Sequence, residues 1–165
     1  MPFQNLPPRG SEEEEGVKRR RRDGTVGVSV VIPCRNERGN IDPLIRRIPR
    51  IGIHTEIILV EGNSLDQTLE ECYAVQKKFP EKEIRVLVQD GIGKADAVRK
   101  GCQVAKGEAL VLFDADLTVA PEEISRMVEA LVRGEGDLVI GNRFSHPMEM
   151  GAMPWINYLG NQIFS

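Results

Sequence analysis

From Val26 onward, short runs of β-branched and aliphatic residues alternate with stretches long enough for amphipathic helices, and this alternation restricts the chain to a small set of folds. The runs are Val28 to Ile32, Glu56 to Val60, Ile84 to Val88, Ala109 to Phe113 and Leu138 to Ile140. Each is short and almost continuously apolar, as expected of strands covered on both faces of a parallel sheet. Helices are predicted at about 40 to 48, 66 to 79, 94 to 105 and 122 to 133. Asp66 suits a cap of the second, and Pro121 with Glu122 and Glu123 suits the start of the fourth. The β-α order predicts an α/β fold: an open, mostly parallel sheet flanked by helices, with right-handed crossovers. No internal repeat interrupts it.

The chain has 165 residues, 41% of them hydrophobic, enough for one domain with one core. Its net charge of -3 gives no basic field, which argues against nucleic acid as a partner. Cys34, Cys72 and Cys102 are scattered, without metal-finger spacing, and read as reduced thiols of a cytoplasmic protein. No apolar run reaches the roughly 18 residues that cross a bilayer. Residues 1 to 25 hold an acidic run, Glu12 to Glu15, and a basic run, Lys18 to Arg22, with little to bury. They read as a disordered leader, and the basic run as a minor peripheral contact for anionic lipid. Residues 26 to 165 form the domain.

Open α/β sheets bind ligands beyond the carboxyl ends of their strands, where loops diverge into a crevice. Most of the polar and Gly-rich segments fall there. Asp114-Ala115-Asp116 follows the fourth run directly. In extended backbone residues i and i+2 face the same way, so two carboxylates could serve one hard divalent cation, which would bridge the phosphates of a nucleotide. A helix cap or a solvated acidic turn is the alternative, and the position favours the metal. Pro33 ends the first strand in a rigid turn, and Asn36 and Glu37 present groups suited to a ribose or a base edge, or simply to a turn and cap. Glu61, at the end of the second strand, is placed to accept from a base or ribose; Asp66 has a structural explanation as a cap.

Gly91-Ile92-Gly93-Lys94 only superficially resembles a phosphate loop. Position 88 is Val, Ala95 stands where Ser or Thr is required, and the third glycine of a dinucleotide fingerprint falls on Asp96. What remains is a glycine turn that presents Lys94 and Asp96 at a helix N-terminus, Lys94 toward a diphosphate and Asp96 toward a nucleoside hydroxyl or sugar. Arg143, after the fifth run, suits a bidentate phosphate contact. His146 and the aromatic segment from Trp155 to Ser165 have bland readings, a loop histidine and a core or interface helix, with a lipid-facing surface as the lesser alternative for the latter.

In their order these motifs resemble the family 2 glycosyltransferases of the GT-A fold, near the dolichyl-phosphate mannose synthase branch. The resemblance rests on Val30-Val-Ile-Pro-Cys-Arg-Asn-Glu37, Glu61-Gly-Asn-Ser-Leu-Asp66, Gly93-Lys-Ala-Asp-Ala-Val-Arg-Lys-Gly101, Asp114-Ala-Asp-Leu-Thr118 with Pro121-Glu122, and Gly141-Asn-Arg143. It implies a nucleoside-diphosphate sugar donor of the GDP-mannose or UDP-glucose type, Mg2+ or Mn2+ on Asp114 and Asp116, and transfer to an acceptor, often a polyprenyl phosphate at the cytoplasmic face of a membrane. By position, Pro33, Glu37 and Glu61 would frame the nucleoside, Asp96 would lie by the nucleotide or sugar, Asp116 would be the principal metal ligand, and Arg143 would neutralise donor or acceptor phosphate. Gly62 departs from the paired aspartates common at that motif. The family's acceptor-binding portion is expected beyond the end of the chain. A non-catalytic donor-binding module and a sugar-nucleotide nucleotidyltransferase are the competing readings; the latter usually carries a Gly-rich basic loop after its first strand, which Pro33 to Glu37 is not.

Overall fold

A computed structural model of the chain describes residues 26–141. The leader expected at 1–25, Arg143, His146 and the aromatic segment 155–165 lie outside the described residues. Strands β1 (Gly27–Cys34), β2 (His54–Glu61), β3 (Glu83–Val88) and β4 (Ala109–Leu112) alternate with helices α1 (Ile41–Arg47), α2 (Thr68–Lys78), α3 (Lys94–Val104) and α4 (Glu123–Val132). The sheet has four strands in the order β3-β2-β1-β4, and every pairing is parallel. This is the open parallel sheet flanked by helices that the alternation predicts.

The two faces are filled unequally. On one, Val30, Ile32, Ile57, Leu59 and Val111 join residues of α1, α2 and α4, including Leu44, Cys72 and Ile124, in the main core. On the other, Val31, Ile58 and Val60 meet Ala97 of α3. Each fully buried aliphatic side chain contributes roughly 1.5–3 kcal/mol. Gly101 is what lets α3 lie so close: a Cβ there would sit 2.3 Å from Val31 Cγ1. α3 packs on β1 and β2, and among the described residues Leu110 and Leu112 of β4 are left exposed on that face.

Pro33 continues β1 rather than ending it. Phe113 N–H donates to Val31 O on the β4 side, and Gly62 N–H to Cys34 O on the β2 side. By alternation Pro33 N faces the β4 side, where the last paired residue of β1 is Val31 with Leu112. Its missing N–H therefore costs no ladder bond.

The fifth strand expected at Leu138 to Ile140 is absent: these residues are irregular, and Leu138 and Ile140 are each 77% exposed. Among the described residues Leu138 to Ile140 have no hydrogen-bonded neighbour, so neither a ladder nor burial stabilises a strand there. The second helix begins at Thr68, two residues later than expected, because Gln67 is left-handed at φ 69. Asp66 nevertheless acts as a cap, its Oδ1 accepting from Thr68 N–H at 3.1 Å.

A candidate donor and metal site at the carboxyl edge of the sheet

The loops after β1, β2, β3 and β4 meet in a cleft of ≈ 340 Å³ lined by residues of all four, among them Pro33, Glu37, Gly62, Lys94, Asp114 and Asp116. It lies at the strand ends where an open α/β sheet holds its ligands. Among the described residues, the non-glycine positions with positive φ are Asn36, Asn63, Gln67 and Leu117, all in these loops. Left-handed backbone is uncommon for side-chain-bearing residues, and its concentration at one edge of the sheet marks a shape held by its surroundings.

The β1 and β2 loops are fastened to each other. Asn36 N–H donates to Ser64 Oγ (2.9 Å), and Leu65 N–H to Asn36 Oδ1 (3.0 Å). Glu37 N–H donates to Thr68 Oγ1 (2.8 Å), Arg38 N–H to Asp66 Oδ2 (3.1 Å), and Gly39 and Asp42 N–H to the two oxygens of Glu71. Nearly every donor here is backbone and every acceptor a side chain, so the second loop satisfies the polar groups that the first leaves open. Glu61 is buried, and its carboxylate accepts from Asn63 and Ser64 N–H at 3.1 and 2.5 Å. It shapes its own turn, and Gly62 reaches the cleft in its place. Glu37 does line the cleft, with Oε2 engaged by Asn40 Nδ2 (2.8 Å).

Several of these contacts move proton equilibria. The Thr68 hydroxyl, then the N–H groups of Arg38 and Thr68, hold the Asp66 carboxyl below its ordinary range despite some desolvation. Asp96 is likewise lowered, first by Gly91 N–H and then by Arg99. Asp96 Oδ2 accepts from Gly91 N–H (2.7 Å) and Oδ1 pairs with Arg99 (2.6 Å). Its carboxylate thus ties the glycine turn to α3 instead of standing among the cleft-lining groups. Cys34, buried where it lines the cleft, has its thiol pushed well up by the hydrogen bond with Cys72 and by burial, so it stays protonated; all three cysteines are free thiols.

The opposite wall is open to solvent. β4 ends at Leu112, and Ala115 and Asp116 form a turn, not the extended segment that the i, i+2 spacing suggested. The outcome is similar: Ala115 is buried while Asp114 and Asp116 both reach the cleft. Asp116 Oδ1 accepts from Thr118 N–H (3.0 Å) and Thr118 Oγ1 (2.8 Å), which fixes the carboxylate and leaves Oδ2 outside those bonds. Lys94, the first residue of α3, pairs with Asp114 Oδ1 at 2.5 Å. No group of three or more His, Cys, Asp or Glu side chains able to hold a metal exists among the described residues. Two adjacent carboxylates fit a hard divalent ion whose remaining ligands come from phosphate and water.

Of the sequence candidates, the cleft unites Pro33, Glu37, Lys94, Asp114 and Asp116; Asn36, Glu61 and Asp96 shape the loops around it. Gln89 and Arg35 also line it and were not singled out. Gln89 is the first residue after β3 and is buried, its Nε2 donating to Gly91 O (3.1 Å). A polar residue immediately after an apolar strand was the signal available.

Comparisons with known proteins bear on the family and the fold. A dolichol-phosphate mannosyltransferase of Pyrococcus furiosus is 39% identical over 119 residues, 71% of this chain and 33% of that protein. A mannosyltransferase from Pyrobaculum calidifontis, solved in complex with GDP-Man and Mn2+, superposes with a TM-score of 0.58 at 26% identity, over 65% of this chain and 32% of that one. Glucosyl-3-phosphoglycerate synthase of Mycobacterium tuberculosis, solved with Mn2+, UDP and glucosyl-3-phosphoglycerate, gives 0.56 at 25% identity, over 67% and 41%. The chain thus spans about a third of the curated relative and about a third to two fifths of the solved ones. The fold is that of the GT-A glycosyltransferases. With a match to the family model, glycosyl transferase family 2, over residues 29–163, the chain belongs to that family.

Proposed function

We propose that this chain forms the donor-binding part of a glycosyltransferase that moves a sugar from a nucleoside diphosphate, of the GDP-mannose or UDP-glucose type, to a polyprenyl-phosphate acceptor. The observation that carries the reading is the joining of Asp114, Asp116 and Lys94 with Glu37 and Gly62 in one cleft at the carboxyl edge of the sheet. Relatives and solved neighbours bear names that speak of dolichol phosphate, GDP-Man, UDP and Mn2+.

Asp114 and Asp116 would hold Mn2+ or Mg2+, which supplies charge neutralisation on a departing diphosphate. The fastened loops of β1 and β2 form the nucleoside end. Because the Glu61 carboxylate is engaged in its own turn, base recognition falls to Glu37, Gln89 and the backbone at Gly62. Arg143, by its place in Gly141-Asn-Arg143, is assigned to neutralising donor or acceptor phosphate. An acceptor phosphate is already ionised, so transfer to it needs no strong general base. No described helix is long and apolar enough to cross a membrane. Contact with the lipid-phosphate acceptor is, as part of this proposal, at the cytoplasmic face of a membrane.

Thermal unfolding with GDP-mannose or UDP-glucose, with and without Mn2+, tests the reading. At a ligand concentration of 100 Kd, binding adds about 2.7 kcal/mol of stability. We expect that gain for one of the two in the presence of Mn2+, and its loss in Asp116→Asn. If neither raises the melting temperature with metal present, the assignment is overturned.

A further inference from the structure

A divalent ion of this kind takes six or more oxygen ligands, and the β4 side of the cleft offers Asp114 and Asp116, with no group of three or more acidic, histidine or cysteine side chains able to hold a metal among the described residues. One of the two is already engaged. Asp114 Oδ1 holds Lys94 Nζ at 2.5 Å, with the two side chains 42% and 64% exposed. An ion pair so accessible is weak and exchanges without disturbing the core. Lys94 is also the first residue of α3, directly after Gly93 at φ 87, so it belongs to the turn whose backbone N–H groups make a helix start attractive to anions. One cation is thus shared between a carboxylate a metal would require and a position a diphosphate would favour.

We propose that Lys94 is an exchange cation. It neutralises Asp114 in the donor-free protein and passes to the diphosphate oxygens when nucleotide and divalent ion arrive together. Asp114 is then released to the ion only in the presence of the donor. The proposal rests on the donor-site reading above and adds a coupling to it: metal alone binds poorly because it must displace Lys94, and each ligand strengthens the other by the same factor. Lys94 therefore acts with opposite sign on the two affinities, which a lysine that merely lines the cleft would not do.

The test is Mn2+ binding followed by the electron paramagnetic resonance of the free ion, with calorimetric titration of GDP and UDP in the presence and absence of Mn2+. The full chain is compared with Lys94→Met, Lys94→Arg and Asp114→Asn. Lys94→Met should bind Mn2+ alone roughly two- to five-fold more tightly, since a weak competing ion pair is gone. It should bind the nucleoside diphosphate with Mn2+ about ten-fold more weakly, since a charged hydrogen bond is lost. Lys94→Arg, which keeps the charge, should lie near the parent in both. Unchanged or weaker binding of Mn2+ alone by Lys94→Met overturns the exchange. So does an unchanged factor by which Mn2+ improves nucleotide affinity. Asp114→Asn separates the two levels. If it leaves every Mn2+ affinity intact, the donor-site reading fails and the exchange with it; if it removes the Mn2+ response while Lys94→Met leaves metal-alone binding untouched, the exchange alone fails.

Discussion

The two walls of the cleft are built on opposite principles. On the β1–β2 side the polar side chains are used up: Glu61, 2% exposed, serves its own turn, and Asn36, Ser64, Asp66, Thr68 and Glu71 accept from backbone N–H groups of the facing or the same loop. On the β3–β4 side the carboxylates of Asp114 and Asp116 are solvent-accessible, held by a lysine and a threonine that a ligand can rearrange around. A pocket that must fit a rigid nucleoside and also receive a hydrated ion needs both. The first wall gives shape, and low accessibility there is the sign of it; the second gives charge, and accessibility there is the condition for ligand exchange.

Removing Glu61 should have the largest effect on stability. Glu61→Ala leaves the N–H groups of Asn63 and Ser64 without their acceptor in a buried turn, and should cost about 2–3 kcal/mol in urea denaturation. Asp114→Asn is the counterpart on the other wall. It should change stability by no more than about 0.5 kcal/mol, because an exposed ion pair is all it loses, while abolishing the response of nucleotide binding to Mn2+. Similar stability losses in the two variants would remove the distinction between the walls.

The same distinction explains how far sequence carried the reading. The strands β1 to β4 were legible because parallel strands buried between layers must be continuously apolar, and Val28 to Ile32 and Glu56 to Val60 are nearly so. Leu138 to Ile140 has the same composition and is not a strand, since composition does not reveal whether a neighbour exists to pair with. In the site, the placing of Asp114 and Asp116 at the cleft was legible from position alone. Glu61 and Asp96 were read as ligand groups because a carboxylate at a strand end looks the same in sequence whether it faces a ligand or its own backbone. Which it does depends on loop conformation, here on left-handed Asn63 after Glu61 and on the glycine turn that brings Gly91 N–H to Asp96. The latching of the β1 loop by Ser64, Thr68 and Glu71 was invisible for the same reason: its partners are backbone groups, which sequence does not distinguish.

A smaller effect probes the rim of the first wall through pH. The Asp66 carboxyl is held below its ordinary range, chiefly by the Thr68 hydroxyl and also by the N–H groups of Arg38 and Thr68. A group whose folded value is depressed contributes stability that is fully present above its unfolded value, about 3.9 for Asp, and lost as pH falls through the folded value. The contacts between the β1 loop and the start of α2 should therefore weaken below about pH 4. The protection of the Arg38 and Thr68 amides against hydrogen exchange, relative to the intrinsic rate at each pH, should fall there before that of β1 and β2 does. Asp66→Asn keeps an oxygen acceptor and removes the titration, so its protection at these two amides should depend less on pH in the acid range, at a modest loss of protection near neutrality. Asp42 and Asp96 are depressed too, so the overall acid sensitivity of the fold should survive the substitution. If Asp66→Asn instead destabilises the whole domain at neutral pH as much as Glu61→Ala does, then the charged rim, and not the buried Glu61 turn, is what gives the first wall its rigidity.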